Sequence, residues 1–314
     1  MQTWRSGLTA AMVLWSGMMV PTYAQDSARM FPIWGEEAKA AGYEIPEPFG
    51  LNISHMQVKQ GIQVDSISFS GLPSKIEIPI NIPLGISAEN IKLMPIVRET
   101  KQRSDTSTLR ADMWVFPFLN VYGLVGKTKG RTDSILDMRV SLDVKINKLS
   151  IPVPTIDIKD IHFPLEFHGD TFGLGFVLAG GYGNWFALTD VSYTQTKMDI
   201  LDGKIDALVA SPRVGYQFSV LDRPLRIWVG GMYQSIDQSF SGNIVDLTLP
   251  TELKEILAWM DRSKSGKFHV EQHLESPWNT LLGAQYQITP NLLLLTEWGL
   301  GKRTSAFFTL DMRF

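Results

Sequence analysis

The chain has 314 residues, 44% hydrophobic and 19% charged, with a formal net charge of -3. That balance suits neither a disordered chain nor a basic nucleic-acid binder. With no cysteine, disulfides, thiol nucleophiles and Cys-ligated metals are excluded, and a neutral mean hydropathy argues against a bundle of membrane helices.

The N-terminal stretch MQTWRSGLTAAMVLWSGMMVPTYA sets Arg5 before a largely apolar run from Ser6 to Val20. Small residues, Thr22 and Ala24, then precede a cut after Ala24. The run is shorter than the ~20 residues that span a bilayer, so residues 1–24 are expected to be a secretory signal peptide. Residues 25–57 are then an N-terminal periplasmic or plug segment, in which IWGEEAKAAG reads as a short helix.

From residue 58 to the end the chain alternates. Segments 58–70 and 75–86 read as strands, the second weakened by its prolines. Segments 91–101 and 110–126 form the next pair, joined by a loop at 101–109. A turn at 127–133 leads to ILDMRVSLDVKIN, where Leu136, Met138, Val140, Leu142, Val144 and Ile146 share one face. After a longer connection, 147–164, the stretch TFGLGFVLAGGYGNWFALTDVSYTQT reads as a hairpin turning at Gly183-Asn184. Strands at 207–220 and 224–235 follow. LPTELKEILAWMDRSK reads as one loop helix within the long connection 239–277. Three strands end the chain, the last being SAFFTLDMRF.

Strand segments of about ten residues, aromatic residues at strand ends, and alternately short and long connections are the signature of a transmembrane barrel. The expected fold is all-β: a transmembrane antiparallel β-barrel over 58–314 with about twelve strands, or ten without the first two segments. Short turns belong on the periplasmic side and long loops outside, which puts both ends of the barrel in the periplasm. A charge facing lipid near the midplane costs roughly 2–4 kcal/mol. Asp137, Arg139, Asp143, Lys145, Asp190, Arg213, Arg226, Glu297, Asp311 and Arg313 are therefore expected to line the lumen.

The signal peptide, the alternating strands and the terminal TLDMRF resemble Gram-negative outer-membrane β-barrel proteins. In that class the last strand ends in Phe or Trp, with apolar residues at alternate positions before it. The resemblance implies that Phe308, Leu310, Met312 and Phe314 form a sorting signal read by the barrel-insertion machinery. It also implies residence in the outer membrane, with outer-membrane lipid and lipopolysaccharide as surroundings.

The chemistry-bearing residues are sparse. HVEQH puts His269, Glu271 and His273 on one face of a strand, but the spacing is not that of a zinc motif. No Ser–His pair is assignable from spacing, because such pairs form across strands. No catalytic residue, metal or cofactor is expected. Acidic and basic lumenal residues balance, which favours a filled or plugged interior over an open pore. The expected role is small-solute passage or a structural or binding function. The alternatives are a membrane-embedded lipid-modifying enzyme and an external adhesion protein.

Overall fold

A computed structural model describes residues 30–43, 45–72, 75–77, 86–146, 149–152, 155–199, 202–244 and 265–314. The expected signal peptide and the expected helix at 249–264 lie outside these residues. One unit runs from Phe31 to Phe314. Its elements are α1 (Gly35–Ala40), β1 (Phe49–Ser70), β2 (Lys75–Glu77), β3 (Ile86–Phe116), β4 (Leu119–Ile146), β5 (Leu149–Pro152) and β6 (Ile156–Tyr182). There follow β7 (Trp185–Met198), β8 (Asp202–Val220), β9 (Arg223–Asn243), β10 (Lys267–Leu274), β11 (Trp278–Thr289), β12 (Leu292–Leu300) and β13 (Thr304–Arg313).

Antiparallel pairing follows the order β1-β13-β12-β11-β9-β8-β7-β6-β4-β3, and β3 pairs back onto β1. These ten strands close a ring; the number equals the lower expected count but the set differs, because β1 belongs to the ring and the three segments expected between 91 and 146 are two strands, β3 and β4. At the seam Phe49 and Phe314 exchange both backbone hydrogen bonds, and their rings stack. The ring thus begins at Phe49, ahead of the expected boundary at 58. The segment that begins at Phe31 meets its rim: the Ile33 N–H donates to the Val115 carbonyl, and Trp34 packs on Phe116.

Among the described residues, four two-residue turns lie at the seam end: Pro117-Phe118, Gly183-Asn184, Leu221-Asp222 and Pro290-Asn291. Leu221 and Asp222 both have positive φ, 52° and 57°, the mirror-image turn that matches strand twist. Two expected connections are absent. β3 runs straight through 101–109 and β4 through 127–133, and the hairpin sits inside WVFPFLNVYG at Pro117-Phe118. Residues 101–108 and 127–133 are polar on the inward and outward faces alike, so no alternation was visible there.

Strand length divides the ring into two zones. β3, β4 and β6 have 31, 28 and 27 residues, whereas β11, β12 and β13 have 12, 9 and 10. About 9–11 residues cross a bilayer, so the long strands project far beyond it. Where the short strands stop, β10 takes over. β1 pairs with β13 as far as Lys59 and with β10 from Ile62; β9 pairs with β11 as far as Tyr233 and with β10 from Asp237.

The outward face near the tight turns is apolar. Ile53, Leu109, Val125 and Phe172 form one row across β1, β3, β4 and β6, all exposed. Leu174 continues the band on β6, and Val214, Val229, Leu282, Leu294 and Leu310 continue it on β8, β9, β11, β12 and β13. In the projecting zone the arrangement inverts. Leu136, Met138, Val140, Ile161, Phe240, Phe268 and Val270 form a buried core between the walls, and the outward face carries the charges. With short turns on the periplasmic side, the projecting zone is external.

Candidate functional site

The interior is crossed by side chains at successive levels. Nearest the tight turns, Arg226 on β9 donates to Gln217 at 2.8 Å and Gln285 at 3.3 Å. Asp112 on β3 has a fully buried side chain. It accepts from Asn52 at 2.7 Å, Asn120 at 2.6 Å and Arg313 at 2.7 Å, which ties β13, β1, β3 and β4 together over the seam. Asp311 lies beside it and accepts from Arg313 at 3.1 Å.

On the far wall Arg213 of β8 forms a two-pronged pair with Glu297 of β12, at 2.6 and 2.9 Å. The Trp228 indole donates to the same carboxylate at 2.8 Å. Burial makes such charges costly unless each is paired, and here both are. Trp228 can lie this close to the wall because Gly283 is its direct cross-strand partner; a Cβ there would enter the indole. Tyr122 lies likewise over Gly175. Its hydroxyl donates to Asp190 at 2.5 Å, and the Arg110 guanidinium sits 3.6 Å above its ring.

Higher up, the hydroxyls of Thr106, Thr128, Thr171 and Thr196 link β3, β4, β6 and β7 at 3.0, 2.7 and 2.8 Å. Then four buried glutamines bridge the lumen. Gln60 donates to Gln102 at 2.7 Å, Gln102 to Gln238 at 3.1 Å, and Gln272 to Gln238 at 2.7 Å. Gln102 on β3 and Gln238 on β9 stand on opposite walls. Above the belt lies the apolar core, with Phe240 completely buried and its ring 6.0 Å from that of Phe167.

Six of the ten expected lumenal residues are in the membrane zone and face inward: Asp190, Arg213, Arg226, Glu297, Asp311 and Arg313. The other four do not line the lumen. Asp137 and Arg139 face outward in the external zone, where Asp137 accepts from Arg98 at 2.6 Å and Arg139 pairs with Asp157 at 3.0 Å. Asp143 and Lys145 continue that face of β4. The reason is the medium. That part of β4 is beyond the lipid, so water covers its outer face and the apolar face turns inward. Among the strand aromatics, Tyr122 and Trp228 are buried inside instead of facing the membrane surface. Phe308, Leu310, Met312 and Phe314 are exposed on the outward face of the last strand.

Sequence reading missed Arg110, Asp112 and the glutamine belt. Arg110, Asp112 and Trp114 share a parity on β3, which was a usable local signal. The belt had none, since Gln102 and Gln238 are 136 positions apart.

In HVEQH, His269 pairs with Glu271 at 3.4 Å and His273 with Asp65 at 2.8 Å. Among the described residues no three His, Asp or Glu side chains gather closely enough for a metal. Ser241 meets His269 at 2.7 Å, a serine–histidine contact found across strands. At this point β9 is bonded on both edges, to Asp202 of β8 and His269 of β10. Its backbone N–H groups are therefore committed to the sheet instead of forming an oxyanion hole.

A closed antiparallel ring with an outward apolar band, a polar interior and its two-residue turns, among the described residues, gathered at one end defines the class: an outer-membrane β-barrel. No family model and no curated protein matches the chain. Among solved structures it is similar to an outer-membrane channel from Pseudomonas putida F1, at 10% identity and TM-score 0.33, over 86% of this chain and 97% of that one. It is also similar to the transport unit of the autotransporter AIDA-I from Escherichia coli, at 8% identity and TM-score 0.31, over 85% and 90%. A third is the beta domain of the Bordetella autotransporter Brka, at 8% identity and TM-score 0.31, over 86% and 100%. Likeness at these values says nothing about activity.

Proposed function

We propose that the protein is a closed outer-membrane barrel that carries an external β-sheet head in a structural or binding role. The observation that carries this reading is the pair of barriers at the outer end of the lumen. The Gln60–Gln102–Gln238–Gln272 belt joins opposite walls, and an apolar core with a completely buried Phe240 lies above it. Water and ions need a continuous polar path, and a packed apolar core excludes one. Solute passage would require both layers to separate. The same reading includes export through the signal read at 1–24 and insertion through the pattern ending in Phe314.

The test is conductance in planar bilayers. Folded protein, shown to be a barrel by heat-modifiable gel migration, is expected to leave the bilayer sealed. Reproducible unitary currents from that material would overturn the reading in favour of passage.

A further inference from the structure

Above the apolar band the outward rows across β1, β3, β4 and β6 can be read from the register. The last apolar row is Ile53, Leu109, Val125 and Phe172; the next is His55, Ser107, Lys127 and Asp170. Then come Gln57, Asp105, Lys129 and His168, followed by Lys59, Arg103, Arg131 and Glu166. In that last row Lys59 is directly opposite Arg103, and Arg103 directly opposite Arg131. Like charges directly opposite in an antiparallel pair are destabilising, so the arrangement is unfavourable for the isolated barrel.

The neighbouring acids relieve only part of it. Arg131 pairs with Asp133 at 2.8 Å and with Glu166 at 3.5 Å, and Lys127 pairs with Asp170 at 2.8 Å. Asp105, across from Lys129 in register, is turned toward His55 at 3.8 Å. Lys59, Arg103 and Lys129 have no carboxylate partner among the described residues. All three are exposed, on strands held at both edges.

We propose that Lys59, Arg103 and Lys129, with Arg131 at their side, bind the phosphate groups of lipopolysaccharide. The position matches the chemistry. The Lys129 and Arg103 rows lie two and three pairs beyond the apolar edge. The second distance is about 20 Å along the strands, or about 15 Å in height at a tilt of about 40°. Both rows therefore stand beyond the hydrocarbon, on the side where lipopolysaccharide carries its phosphorylated sugars. Arginine offers a planar fork for phosphate, and lysine a point charge. Sheet pairing sets the row spacing at about 4.8 Å per strand, so the cations are pre-arranged for several phosphates on one molecule. The inference is independent of whether the barrel conducts.

The experiment uses the full chain refolded in detergent and checked by heat-modifiable migration. Wild type, the triple variant Lys59→Gln/Arg103→Gln/Lys129→Gln, and Lys267→Gln on β10 are titrated with lipopolysaccharide. The triple variant is expected to bind about tenfold more weakly, the loss for three exposed ion pairs removed together, with Lys267→Gln unchanged. Dephosphorylated lipopolysaccharide should bind wild type as weakly as intact lipopolysaccharide binds the triple variant. Arg103→Gln alone should show part of the loss and serves if the triple variant does not fold. Equal affinity in wild type and variants would overturn the proposal. So would phosphatidylglycerol vesicles or inorganic phosphate that match lipopolysaccharide at equal phosphate concentration.

Discussion

At the scale of single residues, the interior is held by charges that have partners. Glu297 satisfies both prongs of Arg213 and the Trp228 indole in a buried setting. Glu297→Ala would leave a buried guanidinium unpaired, so the variant is expected to lose about 3–5 kcal/mol. Urea unfolding of the micelle-bound barrel, followed by tryptophan fluorescence, measures the loss; an unchanged midpoint would show that water relaxes the site. Asp137 behaves differently because it is external. The Asp160 backbone N–H and the Arg98 guanidinium hold its carboxyl below the usual range. A lowered native value means that the contribution is complete above the ordinary carboxylate range of about 4 and is lost as pH falls through the native value. Acidification should therefore weaken the head of wild type more than that of Asp137→Asn. Proteolysis of the projecting strands across pH 2 to 5 reads this, and parallel curves for the two proteins would refute it.

At the scale of elements, β4 explains both the successes and the errors of sequence reading. Its first part, Val121 to Val125, faces lipid outward and a polar lumen inward. Its middle, Lys127 to Asp133, is polar on both faces and looks like a turn. Its last part, Leu136 to Val140, has charges outward and an apolar core inward. Alternation shows which residues share a face, but not which medium each face meets. The lumenal assignment of Asp137, Arg139, Asp143 and Lys145 failed for that reason. Arg213, Glu297 and Arg313 could be placed inward because their strand neighbours lie within the lipid band. β13 adds a prediction of its own. Phe314 closes the seam through two backbone hydrogen bonds and a stacked ring on Phe49. Deletion of Phe314 is expected to lower the amount of assembled barrel in the outer membrane several-fold while leaving the stability of the assembled fraction close to wild type. Surface labelling and heat-modifiable migration measure the two quantities, and normal assembly would remove the sorting role.

At the scale of the whole molecule, the unequal strands decide the architecture. Short β11, β12 and β13 end near the outer edge of the lipid band, and β10 bridges the gap between β1 and β9. A membrane ring is thereby continued by an external head with its own apolar core. The sequence by itself determined the class, the closing strand, the side of the tight turns and the lipid-facing parity of most strands, because these follow from a two-residue period and short turns. Only the tertiary structure decided where lipid ends along each strand, that polar stretches at 101–109 and 127–133 are continuous strand, and that glutamines from opposite walls meet. Those features depend on register between segments far apart in the chain, and on which face encloses a core once the ring has closed.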